Sequence, residues 1–310
     1  MDDNQASTTA LMTAYCRWHH VLHDKPLIFE DRLAGQILGE EGQDIIESML
    51  LGSLERNNPA SAAAFPDRMS AISWMMQTGA GAPIALARAS YAEEKLELSI
   101  AAGVSQYVIL GAGLDTFAFR RPDLMEKLTV FEVDHPASQE YKLDRIRELG
   151  WECPANLHFT ALDFALNSLD EALERSTFDP DGKTFFSWLG VSYYLGIDKV
   201  RATLRQVAQI APPGSAMVFD YLDKSAYRPD TASSRVVRML SSVMEIGEPM
   251  LSGFDAHTLG DELAECGITL KENLGPSEIQ RRYFLGRTDH YRACEHAHFA
   301  LVSCLASPGK

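Results

Sequence analysis

The sequence has little that would crosslink or anchor it. Its five cysteines, Cys16, Cys153, Cys266, Cys294 and Cys304, lie far apart with no C-x-x-C spacing. That excludes a disulfide framework or a zinc ribbon and predicts buried free thiols. No apolar run reaches the roughly 18 residues of a membrane span, and the start, Met1-Asp-Asp-Asn-Gln5, is acidic where a signal peptide is basic and then apolar. The expectation is a cytoplasmic protein with no membrane partner. Positive charge is also scarce: 28 Lys and Arg against 43 Asp and Glu leave a formal net charge of -15. Nucleic acid and anionic membranes need clustered basic side chains, so neither is expected as a partner, and an anionic substrate must meet a local basic site. Repeats and low-complexity tracts are missing too. The composition, 46% apolar and 23% charged, is that of a globular chain with a sizeable core.

Periodicity divides the chain. Residues 1–82 form a helical N-terminal cap: 31–38, 43–54 and 66–76 each place apolar residues three or four apart. The Gly-Ala-Gly-Ala-Pro run at 79–83 breaks it, and 84–102 reads as a long helix ending at Gly103. Within 83–310 strands at 106–110, 129–133, 157–160, 184–188 and 216–222 alternate with helices at 138–149, 169–174 and 198–210. Repeated strand-helix units predict an α/β domain whose mostly parallel sheet is covered on both faces, with ligands at the carboxyl ends of the strands. The pattern lapses at about 223–254, where an amphipathic stretch at 234–246 reads as part of a lid insertion after the fifth strand; a plain surface excursion is the alternative. A helix at 255–266 and strands near 268–272 and 299–305 close the chain.

The strand at 106–110 runs into a glycine turn, LGAGLDT at 110–116, and the next strand ends in EVDHP at 132–136. Gly111 and Gly113 let the main chain approach a ligand closely, and Asp134 is placed to accept hydrogen bonds from ribose hydroxyls, or else, as a strand-end acid, to cap the helix that follows. A pyrophosphate would want a third glycine where Thr116 stands, and Asp115 beside it would repel one. The cationic end of S-adenosylmethionine suits that charge. Arg88, on the helix leading into the first strand, is placed to hold a carboxylate bidentately, or else is a solvated helix-face arginine. Asp163 and Phe164 follow the third strand, where a carboxylate and an aromatic ring can flank adenine; a turn or helix cap is the other reading of Asp163. Glu132 alternates to the other face. Tyr193 and Tyr194 follow the fourth strand and can line a substrate pocket or pack in the core. His19 and His23 stand at i, i+4 and His296 and His298 alternate, but with no third convergent ligand a metal site is not expected.

Together LAR at 86–88, the glycine turn, EVDHP, LDF at 162–164, WLGV at 188–191, GEPMLSGF at 247–254 and YFLGRTD at 283–289 resemble the leucine carboxyl methyltransferase family. The likeness covers most of the chain and is closer to the bacterial branch of S-adenosylmethionine-dependent O-methyltransferases. It implies a class I methyltransferase-like Rossmann sheet with an antiparallel last strand, and S-adenosyl-L-methionine as methyl donor. It also implies that Arg88 holds the methionine carboxylate, Gly111 and Gly113 lie under the ligand, Asp134 takes the ribose, and Asp163 with Phe164 flanks adenine. Two departures stand out. Leu189 replaces an acidic residue common after the fourth strand, and Ala165 replaces an arginine that helps eukaryotic members bind a peptide carboxylate. The second departure favours a small-molecule acceptor over a protein C-terminus.

Methyl transfer is a direct displacement whose main demand is alignment. A carboxylate acceptor needs only to be held, for which Arg17, Tyr194 and Arg287 are the candidates; a phenol or alcohol needs a base, for which His19, His20 and His23 are. The expected function is therefore O-methylation of a small-molecule carboxylate or hydroxyl of the secondary-metabolite type. A nicotinamide-dependent oxidoreductase and a noncatalytic partner-binding protein of the same fold are the alternatives. Thr116 and Asp115 speak against the first, and Leu189 alone supports the second.

Overall fold

The computed structural model describes residues 7–164 and 166–304; Ala165 and residue 305 fall outside it. The chain opens on four helices, α1 (Thr8–His23), α2 (Ala34–Asn57), α3 (Pro59–Ala62) and α4 (Arg68–Thr78), before the long α5 (Gly81–Ala101). The two helical stretches expected at 31–38 and 43–54 join into α2, which bends at Gly39 (φ +73°). Only Gly79 and Ala80 separate α4 from α5. Pro83 sits inside the first turn of α5, where its missing N–H has no helical carbonyl to lose.

Strand β1 (Gln106–Leu110) is followed by the short helices α6 (Phe117–Arg120) and α7 (Pro122–Met125). Then come β2 (Thr129–Asp134), α8 (Pro136–Leu149), β3 (Leu157–Ala161), α9 (Leu169–Glu174), β4 (Thr184–Trp188), α10 (Ile197–Ile210) and β5 (Ala216–Leu222). After α11 (Ser234–Glu245) the chain ends on α12 (Leu259–Ala264), β6 (Ile268–Leu274), α13 (Pro276–Ile279) and β7 (Ala297–Cys304). The expected helix at 255–266 shrinks to α12, because Asp255 accepts the N–H of His257 and holds the preceding residues in a turn.

The seven strands lie in the order β3-β2-β1-β4-β5-β7-β6, with β7 antiparallel to both its neighbours and the others parallel. All five residues of β1 and of β4 are buried, as central parallel strands covered on both faces require. Tyr107 and Ile109 join a core layer with residues of α1, α2, α4 and α5, and Val108 and Leu110 join one with residues of α9, α10 and α12. The order reverses between β1 and β4, which opens a crevice at their carboxyl ends where ligands of such sheets bind.

The insertion after β5 leaves and rejoins the sheet at one place. Phe254 N–H donates to Leu222 O (3.1 Å) and Lys224 N–H to Phe254 O (2.9 Å). A Cβ at Gly253 would stand 2.4 Å from Leu222 O, so only glycine lets the two limbs close. Arg235, 3% exposed at the start of α11, donates to the carbonyls of Thr78, Gly79, Arg292 and Ala293 and ties the insertion to α4. Four cysteines are buried; Cys153, against expectation, is exposed beyond the C-terminus of α8. Among the described residues no helix is long and apolar enough to cross a membrane, and no cluster of metal-binding side chains occurs.

Candidate functional site

The glycine turn lies at the crevice. Gly111 and Gly113 have φ of +72° and +49°, and a Cβ on Gly111 would stand 2.3 Å from Val191 Cγ2, so a side chain there is excluded both by conformation and by space. One on Gly113 would stand 3.2 Å from Ala10 Cβ, which places the first turn of α1 directly against the turn. Asp134 ends β2 beside it. Its Oδ2 accepts the N–H of Gly113 (2.5 Å) and its Oδ1 that of His135 (2.7 Å). Burial raises the Asp134 carboxyl above the usual range, and these two N–H groups offset only part of that. Each carboxylate oxygen has two acceptor sites, so accepting these bonds leaves capacity for ligand hydroxyls.

Arg88, on α5, is 7% exposed. Its Nη1 donates to Tyr193 Oη (2.6 Å) and to Asp220 Oδ2 (2.9 Å), while Asp220 Oδ1 accepts the N–H of Gly190 (2.7 Å). Burial opposes the charge on the guanidinium and Asp220 together with Tyr193 and Tyr194 more than offsets it, so Arg88 stays cationic. Gly190 (φ +76°) makes room, since its Cβ would lie 2.3 Å from Arg88 Nη2. The solvated helix-face alternative for Arg88 is thus ruled out by its burial. Asp220 is a part of the site that sequence reasoning missed, and Gly190 and Val191 stood in the WLGV string with no role of their own. The signal for Asp220 was a single acid inside the apolar strand Ala216–Leu222, which burial obliges to find a partner. Its carboxylate sits at the main chain next to Leu189, where the family's acidic residue is wanting.

The crevice continues along β3. Leu162 N–H donates to Asp134 O (2.7 Å), which sets Asp163 alongside the end of β2. Phe164 is half-buried and its ring centre lies 6.3 Å from that of Trp188 at the end of β4. Tyr194 meets Tyr193 edge to face at 4.9 Å. The structure thus gathers Arg88, Gly111, Gly113, Asp134, Asp163, Phe164 and Tyr194 around one crevice.

Other candidates are committed elsewhere. Arg17 is buried behind the turn, with Nε on Asp31 Oδ2 (2.8 Å) and Nη2 on Leu114 O (2.8 Å). Arg287 pairs with Asp289, donates to Pro26 O and lies over the Tyr291 ring, which bonds Asp24 at the C-terminal end of α1. Ala10 and Thr9 mark the other end of that 16-residue helix, about 20 Å away at 1.5 Å per residue, so Arg287 is not brought to the crevice. His20 accepts the N–H of Ile28 on Nε2 (2.8 Å) and bonds Asp24 through Nδ1 (2.9 Å), leaving no lone pair for a base. His19 bonds Ser73 (3.1 Å), packs on His23 at 4.5 Å, and is held down to about 4 by burial. Glu132 faces Lys142 in a fully buried ion pair, and burial pushes its carboxyl up to about 7. Asp115 caps α6 through the N–H of Phe117 (2.7 Å).

Asp31 explains Thr116. Its Oδ1 takes the Thr116 hydroxyl (2.8 Å) and the N–H groups of Leu33 (3.1 Å) and Ala34 (3.0 Å), so it caps α2 and moors the glycine turn to the N-terminal helices. Burial would raise its carboxyl, but Arg17, Arg120 and Thr116 outweigh that and hold it below the usual range. A depressed folded pKa contributes stability above the unfolded value of about 3.9, and that stability is lost as pH falls through the folded value. Asp31→Asn should therefore lose about 3 kcal/mol in urea unfolding at pH 7 and show a shallower acid limb than the wild type; an equally steep acid limb would contradict this account.

The family model for leucine carboxyl methyltransferase matches residues 10–208. The chain is 37% identical over 301 residues to YktD of Bacillus subtilis, named as a proposed S-adenosyl-L-methionine-dependent methyltransferase, across 96% of this chain and 98% of that one. A DUF574-family protein from Streptomyces avermitilis shares the fold at TM-score 0.58 and 15% identity, over 97% of this chain and 98% of its own. A protein from Thermobifida fusca, described as a proposed methyltransferase, shares it at 0.53 and 17% identity, over 84% and 94%. With a family match over residues 10–208 and a relative aligned almost end to end, the chain belongs to the leucine carboxyl methyltransferase family.

Proposed function

We propose that this methyltransferase takes its methyl group from S-adenosyl-L-methionine and delivers it to an oxygen of a small molecule of the secondary-metabolite type, a carboxylate in preference to a hydroxyl. The observation that carries the donor half is the pairing of Asp134 with the turn at Gly111 and Gly113, opposite a buried, permanently charged Arg88. These groups fit the donor's chemistry: Asp134 retains acceptor capacity for ribose hydroxyls, Arg88 is a cation for the methionine carboxylate, and Asp163 with Phe164 can flank adenine. Bound S-adenosyl-L-methionine supplies a methyl carbon on a positively charged sulfur. The chain's part is to exclude water and align the acceptor oxygen, with Tyr194 as the hydroxyl on that side and the lid and N-terminal helices as walls.

The preference for a carboxylate rests on the histidines. His20 has its lone pair in use, burial holds His19 down to about 4, and His23 is exposed at the last residue of α1, the end away from the glycine turn, so none of the three is placed as a base for a phenol or alcohol at neutral pH. Calorimetry with S-adenosylhomocysteine tests the donor: binding in the micromolar range is expected, and no binding by the wild type would refute it. A screen of small carboxylic acids and phenols with labelled donor tests the acceptor. Alkali-labile products, being esters, are expected, and alkali-stable ethers would overturn the preference.

A further inference from the structure

The two ends of the crevice's covering are joined by one side chain. α1 starts at Thr8, and the N–H groups of Thr8 and Thr9 have no helical carbonyl to bond. Ser7 Oγ accepts that of Ala10 (3.2 Å), while the N–H groups of Thr8 and Thr9 donate to the carboxylate of Glu248, at 2.9 Å to Oε1 and 3.2 Å to Oε2. The hydroxyls of Thr9 (2.5 Å) and Ser7 (3.1 Å) donate to the same Oε2. Four hydrogen bonds to one carboxylate at the positive end of a helix make a strong local attachment between segments some 240 residues apart.

Both attached segments bear on the donor site. On one side, Ala10 rests against the glycine turn at Gly113. On the other, Glu248 lies in the turn after α11, shaped by Gly247 (φ +78°) and by the bond from Glu248 N–H to Val243 O (2.9 Å). The chain then runs to Leu251 and Ser252, whose N–H groups donate to Tyr193 O (2.6 and 3.3 Å). Tyr193 in turn bonds Arg88. Glu248 thus connects the first turn of α1 over Gly113 with the returning limb of the lid, which meets Tyr193, the residue that holds Arg88.

We infer that Glu248 is a positioning residue that latches the lid to the first turn of α1 and so closes the donor pocket, with donor and product exchanging when this clasp opens. The inference rests on the donor reading above. A ligand seated on the glycine turn is covered by Ala10, and the N–H groups of Thr8 and Thr9 that begin this turn of α1 are held by the clasp. Loss of the carboxylate should raise the rates of capture and of release together and change affinity less than either.

The probe is S-adenosylhomocysteine, followed by stopped-flow tryptophan fluorescence with the full chain. Glu248→Ala is expected to release it about tenfold faster, with Glu248→Gln in between because its carbonyl still accepts; effects on bound-state lifetime are the usual signature of a changed closure. A release rate in Glu248→Ala equal to that of the wild type overturns the latch while leaving the donor reading intact, and absence of binding by the wild type overturns both. Should Glu248→Ala fail to fold, Thr8→Cys with Glu248→Cys in a Cys153→Ser background, joined by a short bismaleimide, gives the converse reading. The joined protein is expected to hold the ligand at least about tenfold longer than the unjoined one, and equal lifetimes overturn the proposal.

Discussion

Arg88→Met is expected to destabilise the protein by about 3 to 5 kcal/mol, because it leaves the Asp220 carboxylate buried without its cation. Asp220 is 1% exposed, and after the substitution only the N–H of Gly190 and the more distant Tyr193 hydroxyl (3.4 Å) would face it. Arg88→Lys should recover only part of this, since an ammonium cannot serve Tyr193, Asp220 and a ligand carboxylate from one planar fork. The stability and the ligand roles separate in Arg88→Met combined with Asp220→Leu. Removing both charges should restore most of the urea-unfolding free energy, short of the bond to Gly190, while S-adenosylhomocysteine binding stays undetectable. A single Arg88→Met variant that unfolds like the wild type, or a double variant that binds the ligand normally, would refute the respective half.

That prediction could not have been framed from the sequence, although half of its residues were legible there. Arg88 was visible because a long helix precedes a short apolar strand and a glycine turn, an arrangement written within 30 residues. Asp220 lies 132 positions further on, and its pairing depends on β5 lying next to β4 and on α5 crossing that face of the sheet. Strands β1, β4 and β5 were read to the residue because burial on both faces makes them continuous apolar runs bounded by turns. Four-residue helices such as α3, α6 and α7 have no period to detect. Arg17 and Arg287 show the converse limit. Arginine is the right chemistry for a carboxylate, but the nearest carboxylates are the chain's own Asp31 and Asp289. Glu248 was part of a family string and nothing in its neighbours announced that its target is the N-terminus of a helix at the opposite end of the chain.

Asp134→Asn is expected to do the reverse of Arg88→Met, sparing stability and removing donor affinity. An amide oxygen can still accept one of the two N–H groups now shared by the carboxylate, from Gly113 and His135. Because burial raises the Asp134 carboxyl in the folded protein, its ionised form is held at a cost above that raised value; the neutral amide escapes this cost and offsets the lost bond. Net stability at pH 7 should therefore move by less than about 1 kcal/mol. Binding has no such compensation. The amide presents an N–H₂ where a ribose hydroxyl needs an acceptor, and charge-assisted bonds of this kind contribute about 1.5 to 3 kcal/mol each, so S-adenosylhomocysteine affinity should fall about 100-fold. The pH dependence has a definite sign. Wild-type affinity should fall with decreasing pH through the raised carboxyl value, at a higher pH than an ordinary aspartate near 3.9 would show, and the weak binding of Asp134→Asn should not show this step. Calorimetric titrations of both proteins from neutral pH down to the acid limit of folding decide it: a loss under about threefold at pH 7, or the same acid step in the asparagine variant, would remove Asp134 from the donor site.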